Sequence, residues 1–245
     1  MKYNKIYIII IMIVSSIVLA YYLYKKKLNY VYNLNMINNN IKDIVNAGFK
    51  FQWSYDKRAG YTDINPNPNY FAITDKGLKF NIYKDDKTFS LKSDTFPRTE
   101  LRATIPILDN IDYTLSYDYL IDIYPEGYDF CWTQIFGGDN PNIMLRFRSG
   151  QYKVVYDMKN RINKVMNINL IDDLYKWVSW KMDFKLSSSG YIKVYHNNSI
   201  VIDLQNIDTS GGNNNSYLKM GIYSQQMNPP SQMSAFLKNL KLIKN

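Results

Sequence analysis

Phe96-Pro97-Arg98-Thr99-Glu100-Leu101-Arg102, continued by Ala103-Thr104-Ile105, is the stretch from which the fold can be read. As a β-strand it carries side chains at i, i+2 and i+4 on one face. Arg98, Glu100 and Arg102 then stand in a row, with Thr99 and Leu101 turned the other way. Two guanidiniums flanking one carboxylate form a fixed cationic fork, in which Glu100 orients the arginines and leaves donors for an anionic ligand. The plain alternative is a solvated charge ladder, which contributes little.

Two later stretches share the period-2 construction. Trp132-Thr133-Gln134-Ile135-Phe136-Gly137 places Gln134 and Phe136 on one face. Tyr217-Leu218-Lys219-Met220-Gly221-Ile222-Tyr223-Ser224-Gln225 places Tyr217, Lys219, Gly221, Tyr223 and Gln225 on one face and Leu218, Met220 and Ile222 on the other. A sheet with one face on a core and the other lining a wet groove has this pattern.

R-T-E-L-R, Q-I-F and Y-L-K-M-G-I-Y-S-Q, in this order, resemble the three signature strands of family 7 alginate-lyase-type polysaccharide lyases. The family pattern is R-[ST]-E-[LV]-R, Q-[IV]-H and Y-[FL]-K-x-G-x-Y-x-Q, so the first and third are matched and the second has Phe136 where relatives have histidine. The resemblance runs over about residues 50–245. It implies a concanavalin A-like jelly roll and β-elimination in a uronic-acid polymer. Tyr223 is then the acid, and also a candidate base. Gln134 and Arg102 bind the substrate carboxylate, and Arg98, Glu100, Lys219, Tyr217 and Gln225 line the substrate site. Gly221 reads either as room for a sugar to approach the backbone or as a bulge. A tyrosine is a weak base at neutral pH, and the expectation is that Lys219 and the arginine row favour its phenolate.

The rest of the chain is consistent with a β domain. The 245 residues are 46% hydrophobic and include 23 tyrosines, enough for one large two-sheet sandwich. Tyr113 to Ile123 alternates over eleven residues, the longest strand signal. Strands are also expected at Leu78–Tyr83, Phe89–Leu91, Ile143–Phe147, Tyr152–Tyr156, Trp177–Leu186, Tyr191–Tyr195, Ile200–Leu204 and Phe236–Ile243, with turns at Ser149-Gly150 and Asn197-Asn198. Many short strands and almost no helix point to an all-β jelly roll over residues 48–245. Residues 28–47 read as a stalk or short helix leading to it.

Residues 6–24 carry no charge and lie between Lys2 and Lys5 on one side and Lys25, Lys26 and Lys27 on the other. An uncleaved membrane-spanning helix is the preferred reading of residues 1–27, with a cleaved signal peptide as the alternative. The domain is then membrane-anchored or secreted, and the flanking lysines balance too evenly to assign a side. Five of the 30 basic residues fall in this segment, leaving 25 against 21 acids, or +4. That suits an acidic polysaccharide and falls short of a nucleic-acid footprint.

The single cysteine, Cys131, excludes an intrachain disulfide and reads as a buried small hydrophobe. The single histidine, His196, reads as a surface turn residue, so no histidine metal site, Ser-His-Asp triad or cofactor is expected. A glycoside hydrolase needs paired carboxylates across the scissile bond. With only Glu100 and Glu126 as glutamates, it ranks behind the other alternative, a jelly roll retained for carbohydrate binding without catalysis.

Overall fold

In the computed structural model the described residues are 14–18, 30–34, 40–55, 58–84, 86, 96–137, 140–157, 159–210, 215–226 and 231–245. They form two antiparallel eight-stranded sheets packed face to face. The outer sheet contains β1 (Tyr30–Leu34), β4 (Phe71–Thr74), β5 (Gly77–Ile82), β7 (Asp112–Ile123), β12 (Trp177–Lys185), β13 (Gly190–His196), β14 (Ser199–Ile207) and β16 (Met233–Lys244). Its order is β14-β13-β12-β7-β16-β5-β4, with β1 also paired to β16. The groove sheet contains β2 (Phe49–Tyr55), β3 (Arg58–Asp63), β6 (Arg98–Ala103), β8 (Phe130–Gly137), β9 (Asn140–Arg148), β10 (Gln151–Tyr156), β11 (Ile162–Val165) and β15 (Tyr217–Ser224). Its order is β11-β10-β9-β8-β15-β6-β2-β3. This is the jelly-roll sandwich expected from the alternating strands.

The core lies where the two alternations meet. β7 turns Tyr113, Leu115, Tyr117 and Tyr119 inward, and β15 turns Leu218, Met220 and Ile222 inward; all seven are buried. The inward tyrosines keep their hydroxyls satisfied across the sandwich, as buried phenols must. Tyr119 donates to the Gly221 carbonyl at 2.8 Å, and Trp132 Nε1 donates to the Tyr117 hydroxyl at 2.9 Å. The same hydroxyl lies 2.7 Å from Thr133 Oγ1. These bonds tie β7 to the backbone and side chains of β8 and β15, the strands that carry the groove.

Several local expectations are revised. Residues 28–47 include β1, paired with β16, and the helix α1 (Ile41–Asn46), closed at its start by an Asn40–Asp43 capping box. Ile44 of α1 is fully buried. His196 is no turn residue: it ends β13, its Nε2 lies 3.0 Å from both carboxylate oxygens of Asp173, and its ring sits edge-on to Trp180 at 5.0 Å. Asp173 ends the short helix α2 (Leu170–Asp173). Asn197 and Asn198 make the turn itself, both at positive φ, as a two-residue hairpin requires. The strand expected at Phe89–Leu91 lies outside the described residues. Most of the 6–24 span does too; residues 14–18 are helical, and among the described residues no helix is long and apolar enough to cross a membrane.

Candidate active site

The antiparallel register assembles the three motif strands into adjacent rows. Lys219 of β15 stands opposite Arg102 of β6 and Gln134 of β8. Gly221 stands opposite Glu100, and Tyr223 opposite Arg98 on one side and Cys131 on the other. All eight side chains expected at the site therefore fall on or beside one face of the groove sheet.

Glu100 is the anchor of this face, only 1% exposed. Gln134, 2% exposed, donates from Nε2 to Glu100 Oε1 at 2.6 Å, and Arg98 Nη1 lies 3.8 Å from Glu100 Oε2. The fork is thus lopsided: Glu100 holds Gln134 and Arg98, while Arg102 instead stacks its guanidinium 4.6 Å from the Tyr217 ring. Arg102 and Tyr217 line a cavity of about 570 Å³ with Lys50. Arg98, Gln134, Phe136, Tyr223 and Gln225 line the neighbouring one, of about 690 Å³. The divergence comes from β6 itself, whose two arginines point to opposite ends of the Glu100 position.

Tyr223 is half-buried among cationic, aromatic and apolar neighbours. Arg98 lies 4.5 Å over its ring, Phe96 meets it edge-on at 6.2 Å, and Cys131, Met144 and Val155 form an apolar floor beside it. No hydrogen bond to a described residue occupies the phenolic oxygen. Burial raises its pKa, with Arg98 opposing and Glu100 adding to the rise. The expectation that neighbouring cations win, with Lys219 among them, is corrected: desolvation exceeds them, and the cations that oppose it are Arg98 and Arg161. At rest the phenol is neutral and fit to donate a proton.

Lys219 is 3% exposed, with Nζ 4.2 Å from the Phe136 ring centroid and 5.8 Å from that of Tyr217. Burial lowers its pKa to about 8, against the attraction of Glu100. Phe136, at the motif's histidine position, therefore serves as one wall of an aromatic cage for this ammonium. Cys131 is buried as expected, but on the groove side: an irregularity between Cys131 and Thr133 of β8 lets Trp132 face the core and Cys131 the floor under Tyr223.

Gly221 resolves in favour of the bulge. Its φ is +148, and a Cβ there would lie 2.2 Å from the Thr99 carbonyl oxygen and 2.8 Å from Glu100 Cα. The β15–β8 register shifts between Met220 and Tyr223. The glycine thus lets β15 press against β6 and re-aims Tyr223, rather than making room for a sugar.

The lining of the larger cavity outside the three motifs includes Arg146, Arg161, Asn140 and Asn163. Arg146 Nη1 donates to Gln225 Oε1 at 3.2 Å and Nη2 to Asn163 Oδ1; Arg161 Nη2 donates to Asn140 Oδ1. The alternation of Arg146 and Arg148 with Leu145 and Phe147 was a usable signal; Arg161, at a positive-φ position outside any strand, had none. Among the described residues no three His, Cys, Asp or Glu side chains come together to hold a metal.

A jelly roll whose groove gathers arginines around an unengaged phenol is built for an acidic chain molecule and for proton transfer, and these are the marks of a polysaccharide lyase. The family model for alginate lyase matches residues 45–244, and the chain belongs to that family. Its fold is similar to those of solved alginate lyases. One from Pseudomonas aeruginosa has 19% identity and a TM-score of 0.65, over 84% of this chain and 100% of that one. One from Corynebacterium sp. has 17% identity and a TM-score of 0.62, over 81% and 94%. One from Klebsiella pneumoniae has 16% identity and a TM-score of 0.62, over 81% and 95%. No curated protein matches the chain.

Proposed function

We propose that the larger cavity binds a uronic-acid polymer such as alginate and cleaves it by β-elimination, with Tyr223 moving both protons. The observation that carries this reading is the Tyr223 hydroxyl, unengaged among the described residues, in one cavity with Gln134 and Arg98. The C5 proton beside the carboxylate is lost, C4=C5 forms, the C4–O4 bond breaks and O4 takes a proton. Negative charge on the carboxylate grows as the C5 proton leaves, so fixed donors there lower the barrier. Gln134, whose amide is held by Glu100, and Arg98 supply them beside Tyr223, while Arg102 with Lys50 holds a more distant carboxylate. Lys219, Tyr217, Glu100 and Gln225 shape and charge the groove.

Because Phe136 offers no proton-transferring group, the phenolate of Tyr223 takes the C5 proton and the resulting phenol protonates O4 from the same side. Such a site suits substrates in which the two lie syn. The raised pKa of Tyr223 sets the sign of the pH dependence: the phenolate is scarce at neutral pH, so turnover rises with pH. Ultraviolet absorbance of unsaturated uronate, followed on alginate, glucuronan and hyaluronan, tests the reading. Tyr223→Phe is expected to reduce turnover by ~10²–10⁴-fold, the usual worth of a positioned acid–base group, with affinity retained. Residual lyase activity above that range would place the base elsewhere. Phe136→His is expected to raise turnover or widen the range of uronates cleaved, read in the same assay.

A second reading, carbohydrate binding without turnover, draws on Phe136 standing against Lys219 at the histidine position; polymer retention with no absorbance change would select it. We also propose that residues 6–24 anchor the domain to a membrane, supported by their 19 uncharged residues between lysines. Partition of the full chain into detergent-soluble membranes, lost on deleting residues 1–27, tests that.

A further inference from the structure

Tyr223 lies in a row that crosses four strands. Arg98 of β6 stands opposite it, Cys131 of β8 opposite it on the other side, and Arg146 of β9 opposite Cys131. With neighbouring strands ~4.8 Å apart, Arg98 is about 5 Å and Arg146 about 10 Å from Tyr223 along the row, on opposite flanks. Both line the same cavity, and Arg161 joins Arg146 there.

The cations of this row are held in two different ways. Arg98 has Glu100 at 3.8 Å, and Arg148, further along β9, has Asp129 at 3.8 Å. Among the described residues, Arg146 donates to the amide oxygens of Gln225 and Asn163, and Arg161 to that of Asn140. Asp157 lines the cavity too, but its carboxylate accepts from the Lys159 and Asn160 backbones and the Asn160 amide. Neutral amides fix a guanidinium in place without cancelling its charge. Among the described residues nothing accepts a hydrogen bond from the buried Arg146 Nε. Burial, and then Arg148, lower the Arg146 pKa, with Cys131 and Asp129 opposing.

We propose that Arg146 and Arg161 form a second carboxylate site on the flank of Tyr223 opposite Arg98, which binds the uronate next to the one cleaved. The groove then reads two successive carboxylates, and Arg146 and Arg161 are its specificity-determining residues. This rests on the uronic-acid reading of the groove. A planar carboxylate accepting from a guanidinium is the strongest pairing available to such a site.

The experiment uses the full chain and a series of alginates in which a growing fraction of carboxyls has been reduced to alcohols. If two adjacent carboxylates are read, kcat/KM falls one power of the remaining carboxyl fraction more steeply in the native chain than in Arg146→Gln/Arg161→Gln. On unreduced alginate the double variant is expected to lose ~10–100-fold in kcat/KM, mostly through KM, the worth of one or two charge-assisted hydrogen bonds. Arg161→Gln alone, at an exposed position, shows part of both effects without disturbing the fold. Equal steepness in native chain and variants overturns the second site while leaving the lyase reading intact. Should the native chain form no product, its affinities across the same series decide the proposal by the same comparison, and only the lyase reading falls. Absence of any binding to unreduced alginate sinks both.

Discussion

On the outer sheet Lys181 meets Asp183 at 3.0 Å and Lys193 meets Asp203 at 2.9 Å. In the groove Arg146 and Arg161 are held by amides, and Lys219 is held by rings. Both sheets are built from the same alternating strands, so the difference is not one of secondary structure. It lies in which partner the neighbouring residues supply, a carboxylate on the outer sheet and an amide or a ring in the groove. A paired lysine in solvent keeps a sheet face soluble at little cost or gain. A cation fixed in a partly dry groove without a carboxylate is unfavourable on its own and becomes favourable when a polyanion docks.

The largest effect is expected at Glu100, the one buried carboxylate of the groove face among the described residues. Glu100→Ala removes the acceptor of the Gln134 amide and the counter-charge of Arg98 together. Stripping one partner from a buried pair costs about 3–5 kcal/mol, to be read from urea unfolding, and turnover falls with it because Gln134 and Arg98 lose their aim. A loss below ~1 kcal/mol, the range of exposed pairs, would show the groove carboxylate to be as well solvated as those of the outer sheet.

Next comes Lys219. Its folded pKa of about 8 lies below the ordinary 10.5, so between these values the unfolded chain binds more protons and stability rises with pH. Lys219→Met is expected to raise stability at pH 7 by ~3 kcal/mol, at about 1.36 kcal/mol per unit of pKa displacement, and to abolish that rise. The same variant should bind polyuronate less tightly, and native affinity should itself decline as pH rises through 8. Unfolding and binding measured at pH 7 and pH 10 check both halves. A variant that gained stability without losing affinity would make Lys219 a structural relic rather than a groove cation.

How far the sequence carried can be traced in these residues. Period-2 alternation placed Arg98, Glu100, Gln134, Lys219 and Tyr223 on one face, because pleating leaves a strand residue only two directions. Alternation says nothing of rotamers, and so Arg102, though in register, stacks on Tyr217 away from Glu100. Nor does it reveal an irregularity: the one between Cys131 and Thr133 moved Cys131 to the groove floor, and the one at Gly221 re-aimed Tyr223. Arg161, itself at positive φ, enters the cavity from a loop, where no periodicity operates. His196 was misplaced because its partner, Asp173, is distant in sequence and lies on a helix of four residues. Burial, which raises the Tyr223 pKa and lowers that of Lys219, is a property of the assembled sandwich.

The smallest effect is expected at Lys181, and it is the control that gives the others meaning. Its ammonium pairs with Asp183 and lies 4.4 Å over the Tyr195 ring, with the side chain 44% exposed. Asp183 also accepts from Thr114 Oγ1 at 2.7 Å, so losing the lysine does not leave the carboxylate without a partner. Lys181→Ala should therefore cost ~0–1 kcal/mol, shrinking further at ~1 M salt, where the screening length is about 3 Å. Its effect on polymer turnover should be nil, since the outer sheet faces away from the cavity that holds Tyr223. Unfolding at low and high salt gives the first number and the uronate absorbance assay the second. If Lys181→Ala instead weakened polymer binding as much as Arg161→Gln, paired and unpaired cations would be equivalent to the polymer. Charge in bulk, rather than its placement beside Tyr223, would then be what draws the substrate.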